Sequence, residues 1–389
     1  MHINELLKET MEAQASDLHL TAGRKPTIRV WGKLQALEHH DVLSPEDTSQ
    51  LAYSMLNAFQ KQKFEKTWEL DLSYGVPGLG RFRVNMYRQR GATGIALRSI
   101  PSMIPTVEDL NLPAILRDLA RKPRGLILVT GPTGHGKSTA LAAMLDAINT
   151  ERAAHIVTVE DPIEYLHEHK KSMVNQRELG FDTQSFPNAL RGVLREDPNV
   201  VMVGEMRDLE TISAALTIAE TGHLVFATLH TANAAQSIDR IVDVFPPYQQ
   251  QQIRIQLSSV IEAVISQQLL ANQRYFARKA NAHLDGRRAA ASAGSAASAT
   301  ATIERHWPAL EDIGRVPAVE IMIATPAIRN LIREAKTHQI ESALQTGGQY
   351  GMQTMDMALA DLCRRQLISR EDAIARAIHP EELRKLIHG

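Results

Sequence analysis

Residues 126–139 read LILVTGPTGHGKST, an apolar run from Leu126 to Val129 that breaks into the spacing GxxxxGKS and opens onto helix-like sequence from Ala140-Leu141. That pattern constrains the whole chain. The run has the length and content of a strand buried on both faces, as in the sheet of an α/β fold. Gly131, Gly134 and Gly136 let backbone N–H groups turn inward around phosphate oxygens. Lys137 is placed to reach the terminal phosphates and the Ser138 hydroxyl to ligate Mg²⁺, while the helix that follows offers its positive N-terminal end to the anion. The loop Gly131-Pro132-Thr133-Gly134-His135-Gly136-Lys137-Ser138-Thr139 is therefore expected to bind ATP with Mg²⁺.

What the phosphate energy drives depends on the rest of the chain. At 389 residues there is material for two or three domains with real cores. A formal net charge of −1 lacks the basic balance of a protein that wraps nucleic acid, so no nucleic-acid partner is expected. The single cysteine, Cys363, excludes an intramolecular disulfide and a multi-cysteine zinc site, and points to the cytosol. It stands among Met352, Met355, Leu359 and Leu362 at helical spacing, which predicts packing rather than reactivity. The N-terminus carries acids and no apolar signal core, and no stretch approaches roughly eighteen uninterrupted apolar residues, so a soluble cytoplasmic chain is expected.

The first hundred residues read as a separate α+β module. Short strands are predicted over 16–20 and 27–31, and Ser44-Pro45-Glu46-Asp47 starts a helix running to about Phe59. A hairpin follows, with strands over 68–74 and 81–90 around the turn Val76-Pro77-Gly78-Leu79-Gly80, and a further strand over 95–100. Its alternation puts Arg81, Arg83 and Asn85 on one face and Phe82, Val84 and Met86 on the other. Residues 101–113, with Pro101, Pro105 and Pro113, read as a hinge, and 114–389 as the nucleotide domain.

Within that domain a strand over 155–159 ends in Glu160-Asp161-Pro162-Ile163-Glu164, which places carboxylates at the strand edge where ligands bind in parallel sheets. The buried run 200–203 leads to Gly204-Glu205, an acid placed to orient Mg²⁺ or its waters. A helix over 208–220 stops at Gly222, and the next strand carries His223 at one end and His230 at the other. The two histidines are expected to sense the γ-phosphate or to serve the metal shell; with no acid or cysteine at ligand spacing, zinc is disfavoured there.

Taken in order, GPTGHGKST, VTVEDPIEY, LREDPNVVMVGEMRD and AETGHLVFATLHT resemble the phosphate loop, Asp box, glutamate-type Walker B and His box of the type II and type IV secretion ATPase superfamily. The segments SDLHLTAGRKPTIRVWGKL and SIDRIVDVFPPYQQQQIRIQLSSVIEAVISQQLL extend the resemblance over nearly the whole chain. A start close to the SDLHL strand, the lack of a four-cysteine loop, and the signature Ala327-Ile328-Arg329-Asn330-Leu331-Ile332-Arg333-Glu334 resemble the branch that retracts type IV pili.

The resemblance implies a PAS-like N-terminal domain followed by a RecA-like ATPase domain with C-terminal helices, assembled as a homohexamer that hydrolyses ATP at subunit boundaries. It implies that Arg81, Arg83 and Arg98 face the phosphates, that Glu164 or Glu160 polarises the attacking water, that Glu205 and Ser138 hold Mg²⁺, and that His230 and His223 sense the terminal phosphate. Residues 327–334 are implied in coupling or partner contact. The implied partners are an inner-membrane pilus platform protein and a paralogous retraction ATPase, with peripheral placement at the cytoplasmic face of the inner membrane. Pilus assembly, type II secretion and a weakly hydrolysing accessory paralogue stand as alternatives, as does a P-loop kinase, although no phosphate-acceptor signature accompanies the loop. One region departs from the family: an insert over 274–312, whose centre, 287–302, is almost only Ala, Ser, Gly and Thr and is expected to form a surface tether.

Overall fold

Alternating apolar residues on short strands, covered by three capped helices, build the first of two compact units, Met1–Met103 together with Pro162–Leu166. The computed structural model describes residues 2–13, 15–30, 33–100, 103–278 and 313–388. This unit's helices are α1 (Ile3–Glu12), α2 (Pro45–Ser54) and α3 (Ala58–Thr67); its strands are β1 (Asp17–Leu20), β2 (Thr27–Val30), β3 (Lys33–Ala36), β4 (Glu69–Val76), β5 (Gly80–Gln89) and β6 (Ala92–Ile100). The strands form one antiparallel sheet in the order β3-β2-β1-β6-β5-β4.

Phe82, Val84 and Met86 point into the core with Leu18, Ile95 and Leu97, whereas Arg83 on the alternate face is exposed. The single helix expected to run to about Phe59 is two helices. Met55 closes α2, and Asn57 opens α3 by a reciprocal cap with Gln60, a local hydrogen-bond pair that stops one helix and starts another.

The second unit comprises Ile104–Asp161 and His167–Gly389. The hinge expected over 101–113 is accordingly shorter: Val107 and Leu112 are buried in this unit's core beside Leu116 of α4 (Ile115–Ala120). Its sheet contains β7 (Gly125–Thr130), β8 (His155–Glu160), β9 (Met173–Glu178), β10 (Val200–Val203), β11 (Leu224–Leu229), β12 (Ile261–Ala271) and β13 (Arg315–Ile323). Their order is β13-β12-β7-β11-β10-β8-β9, parallel throughout except that β13 runs against β12.

In β7, Leu126 and Leu128 enter one apolar layer and Ile127 and Val129 the other, so the strand is covered on both faces. On the first layer lie α6 (Phe186–Val193), α7 (Leu209–Glu220), α8 (Ala234–Asp243) and α9 (Pro247–Val260); on the second lie α4 and α5 (Lys137–Glu151). Residues 273–278 are helical (α10). Five further segments follow β13: α11 (Pro326–Arg333), α12 (Ile340–Thr346), α13 (Met355–Arg364), α14 (Arg370–Arg376) and α15 (Pro380–His388). Cys363 is half-buried against the cluster of α13, α14 and α15 with the far end of β12, in keeping with the packing role expected of it. Of the expected insert, residues 279–312, including its Ala/Ser-rich centre, lie outside the described residues.

The fold is thus the α/β arrangement expected. The register of β7, β8, β10 and β11 brings their C-terminal ends into line, and the residues just past those ends make the site.

Candidate active site

β7 ends at Thr130, and the chain then turns through three glycines with φ of 136° at Gly131, 78° at Gly134 and 81° at Gly136. Only glycine fits the first of these. A Cβ on Gly131 would lie 2.2 Å from the carbonyl oxygen of Gln267 on β12, besides requiring a conformation L-residues rarely adopt. β12 also braces the loop: Gln267 Nε2 donates to His135 O at 2.9 Å and Leu269 N–H donates to His135 Nδ1 at 3.0 Å. Arg315 adds a bond from Nη1 to Gly134 O at 3.1 Å. Burial, then the charges of Arg376, Arg315 and Lys137, hold the His135 imidazole below its usual range, which keeps Nδ1 available as the acceptor.

Gly136 precedes α5 without a side-chain cap, so the positive N-terminal end of the helix opens on the loop, with Ser138 half-buried in its first turn. Lys137 is buried; its ammonium donates to Gly131 O at 2.7 Å and Pro132 O at 3.0 Å. It also lies 3.4 Å from His230 Nδ1, as does Thr133 Oγ1. Because an ammonium can only donate, His230 accepts at Nδ1 and donates from Nε2 to Glu205 Oε1, 2.9 Å away. A hydrogen-bonded chain therefore runs from the loop lysine through His230 to Glu205, joining the ends of β7, β11 and β10. Burial raises the affinity of the Glu205 carboxyl for a proton, but Arg207, 2.5 Å away, and His230 outweigh it and hold the group below the usual carboxylate range. An ionised acid beside a phosphate loop and a helix-borne serine is the donor set that suits a hard divalent cation, so Glu205 and Ser138 fit Mg²⁺.

The remaining expected residues divide. Glu160 ends β8 at the same sheet edge and is buried, with Oε1 accepting from Thr158 Oγ1 at 2.6 Å and Gln176 Nε2 at 3.0 Å. Glu164, four positions on, belongs to the first unit. Arg81, Arg83 and Arg98 also lie there: Arg83 and Arg98 are directly opposite on β5 and β6, Arg81 is bonded to Ser73 Oγ, and Arg98 Nε donates to Asp17 Oδ1 at 2.8 Å.

His223 requires correction as a phosphate sensor. It precedes β11, and its backbone carbonyl accepts from Gly125 N–H at the start of β7, so it stands at the sheet edge opposite the phosphate loop. A six-residue strand separates its two ends by roughly 20 Å, and both histidines cannot serve one phosphate within a chain. Instead, His223 Nδ1 lies 3.0 Å from Ile218 O and 3.0 Å from Thr221 Oγ1, at the C-terminus of α7.

Arg329 is likewise not offered to a partner. Its guanidinium donates to Ser258 O at 2.7 Å, Ser259 O at 3.0 Å and Ala324 O at 3.0 Å, and pairs with Glu262 at 2.6 Å, capping the C-terminus of α9. Ile328 and Ile332 are core residues, and Leu331 packs against them; Ala327, Asn330, Arg333 and Glu334 form the exposed side of the signature. Gln267, Arg315 and Arg207 had no signal in the linear pattern. Only Arg207, two positions past Glu205, stood near enough to be suspected.

Comparison with known proteins agrees with this geometry. A family model described as Type II/IV secretion system protein matches residues 94–366. The type IV pilus retraction ATPase PilT of Pseudomonas aeruginosa is 48% identical over 386 residues, covering 98% of this chain and 99% of its own. A twitching motility protein of Neisseria gonorrhoeae is 46% identical over 358 residues, 92% of this chain and 86% of its own. A crystal structure of the pilus retraction motor PilT with bound ADP matches with a TM-score of 0.83 at 46% identity, covering 99% of each chain.

Proposed function

The chain belongs to the type II/IV secretion system protein family, and we propose that within it the chain is the ATP-hydrolysing motor that retracts type IV pili and so drives twitching motility. The carrying observation is the likeness to a retraction ATPase along 98% of this chain and 99% of the relative. The site supplies compatible chemistry. Lys137 exchanges its loop carbonyls for the β- and γ-phosphates, and the uncapped start of α5 receives the phosphate oxygens. Ser138 and Glu205 would hold Mg²⁺, which would supply charge neutralisation to the phosphates. Removing the lysine from its place beside Nδ1 frees His230 to meet the terminal phosphate while Glu205 keeps the ring oriented from Nε2.

Of the two Asp-box glutamates, Glu160 is already bonded to Thr158 and Gln176, which favours Glu164 as the group that polarises water. Arg81, Arg83 and Arg98 are proposed to meet phosphate charge at subunit boundaries of a homohexamer, coupling nucleotide state to domain rotation. The work is delivered to a platform protein at the cytoplasmic face of the inner membrane, with a paralogous retraction ATPase as a second partner.

Deletion of the gene tests the direction of the motor. Excess surface pili that fail to retract are expected; a cell without pili would identify an assembly ATPase and overturn the reading.

A further inference from the structure

The N-terminal unit brings three metal-ligating side chains to one point, none of them given a role in the nucleotide site above. Glu9 lies on α1, and His39 and His40 follow β3. His39 Nε2 is 3.0 Å from Glu9 Oε2, and His40 Nε2 is 3.1 Å from Oε1 and 3.0 Å from Oε2. The three ligand atoms lie within 4.8 Å of one another, and no other trio of His, Cys, Asp or Glu does so among the described residues.

Neighbouring residues usually send their side chains apart; here a tight turn sends both to one carboxylate. His40 N–H donates to Leu37 O at 3.1 Å, closing the turn, and Leu37 N–H donates to Pro26 O at 2.8 Å, tying it to the start of β2. Lys25 pairs with Glu38 at 3.0 Å inside the same turn. On the other side, Leu6, Leu7 and Thr10 of α1 are buried, which leaves Glu9 on the half-exposed flank of the helix. The imidazole rings stand 4.3 Å apart and tilted by 42°, so they do not stack flat but converge through their Nε2 atoms.

A tetrahedral ion bound at roughly 2.0–2.2 Å to imidazole nitrogen and carboxylate oxygen holds its ligand atoms about 3.4 Å apart. The two His–Glu separations, 3.0–3.1 Å, are a few tenths of an ångström short of that spacing, and the two imidazole nitrogens lie within 4.8 Å of each other. Two imidazoles and one carboxylate, without cysteine, favour Zn²⁺, Ni²⁺ or Co²⁺ over Mg²⁺ or Ca²⁺, which prefer all-oxygen shells. Side-chain exposures of 16% for His40, 30% for Glu9 and 64% for His39 leave an entry path and at least one position for water.

We propose that Glu9, His39 and His40 form a Zn²⁺-class site that clasps α1 to the connection between β3 and α2, separate from the Mg²⁺ position at the phosphate loop. The test is calorimetric titration of Zn²⁺ into chelator-stripped, nucleotide-free full-length protein. One equivalent per chain is expected in the wild type and in Glu205→Ala, which removes the phosphate-loop acid. Glu9→Gln, which keeps a hydrogen-bond acceptor for the histidines, and the double variant His39→Ala/His40→Ala should each weaken affinity at least about tenfold and abolish the Zn²⁺-dependent rise in melting temperature. Co²⁺ should give visible absorption bands in the wild type that both variants lose. The absence of a stoichiometric equivalent, or an affinity unchanged in both variants, would show that the trio is only a pair of hydrogen bonds to a carboxylate.

Discussion

Lys137 and Glu205 stand at opposite ends of the chain through His230, and their removal should have opposite signatures. On the function proposed above the ammonium is the group that meets phosphate, so Lys137→Ala should abolish nucleotide binding. On the same reading Glu205, held ionised by Arg207 and His230, would act on the metal and on the orientation of the ring; Glu205→Ala should then leave most binding and lower turnover by about 100-fold or more. Nucleotide affinity and steady-state phosphate release, measured on the same preparations, check the division; equal loss of binding in both variants contradicts it. At this scale the sequence was eloquent about the loop because its chemistry requires glycines, a lysine and a serine at fixed spacing. It was silent about Gln267 and Arg315, which reach the loop from more than a hundred residues away, and misleading about His223. The pattern did put His223 and His230 at opposite ends of one strand; the shared role came from the family resemblance, and a six-residue strand keeps the two rings apart.

Glu320 on β13 shows how one buried side chain links elements. Its carboxylate accepts from Ala234 N–H at 2.7 Å and Met355 N–H at 3.4 Å, the first residues of α8 and α13. Burial pushes the carboxyl up to about 7, against the pull of those two backbone donors. The folded chain therefore holds this proton more tightly than the unfolded chain does. The contribution to stability is fully present below the ordinary glutamate value of 4.5, is lost as pH rises to about 7, and is flat beyond. The loss is of the order of 3 kcal/mol. Glu320→Gln should flatten the decline of the urea midpoint between those two pH values; an unchanged slope would place the titration elsewhere. Arg329 is a second link, between α11 and the carbonyl end of α9. Arg329→Ala should destabilise the fold by about 2 kcal/mol through loss of the carbonyl and Glu262 bonds. Substituting the exposed Asn330 and Arg333 instead should spare melting temperature and hydrolysis while stopping twitching, if this face serves coupling. Normal twitching in that variant would remove the face from the coupling path. Element existence was legible wherever periodicity or capping spoke, as in β7, β10 and α7. Its limits appeared at the break between α2 and α3, where Asn57 with Gln60 decided the boundary, and at Arg329, whose partners are backbone carbonyls invisible in a residue pattern.

At the scale of the whole molecule, the chain divides into a unit built on an antiparallel sheet and a unit built on a mainly parallel one. The boundary sits near residue 103, earlier than the end of the proline-rich stretch, because Val107 and Leu112 have an apolar core to enter. The segment Pro162–Leu166 returns to the first unit, so the two Asp-box glutamates fall in different units despite being four residues apart. By itself the sequence determined the nucleotide chemistry, the α/β class and the family, because phosphate binding imposes residue types at short spacing and buried strands impose apolar runs. Only the tertiary structure decided which polar residues share an edge: it joined Lys137, His230 and Glu205, turned Arg329 inward, and gathered Glu9 with His39 and His40. Those outcomes depend on strand direction, register and the packing of helices onto sheets, which bring together residues that no local spacing relates.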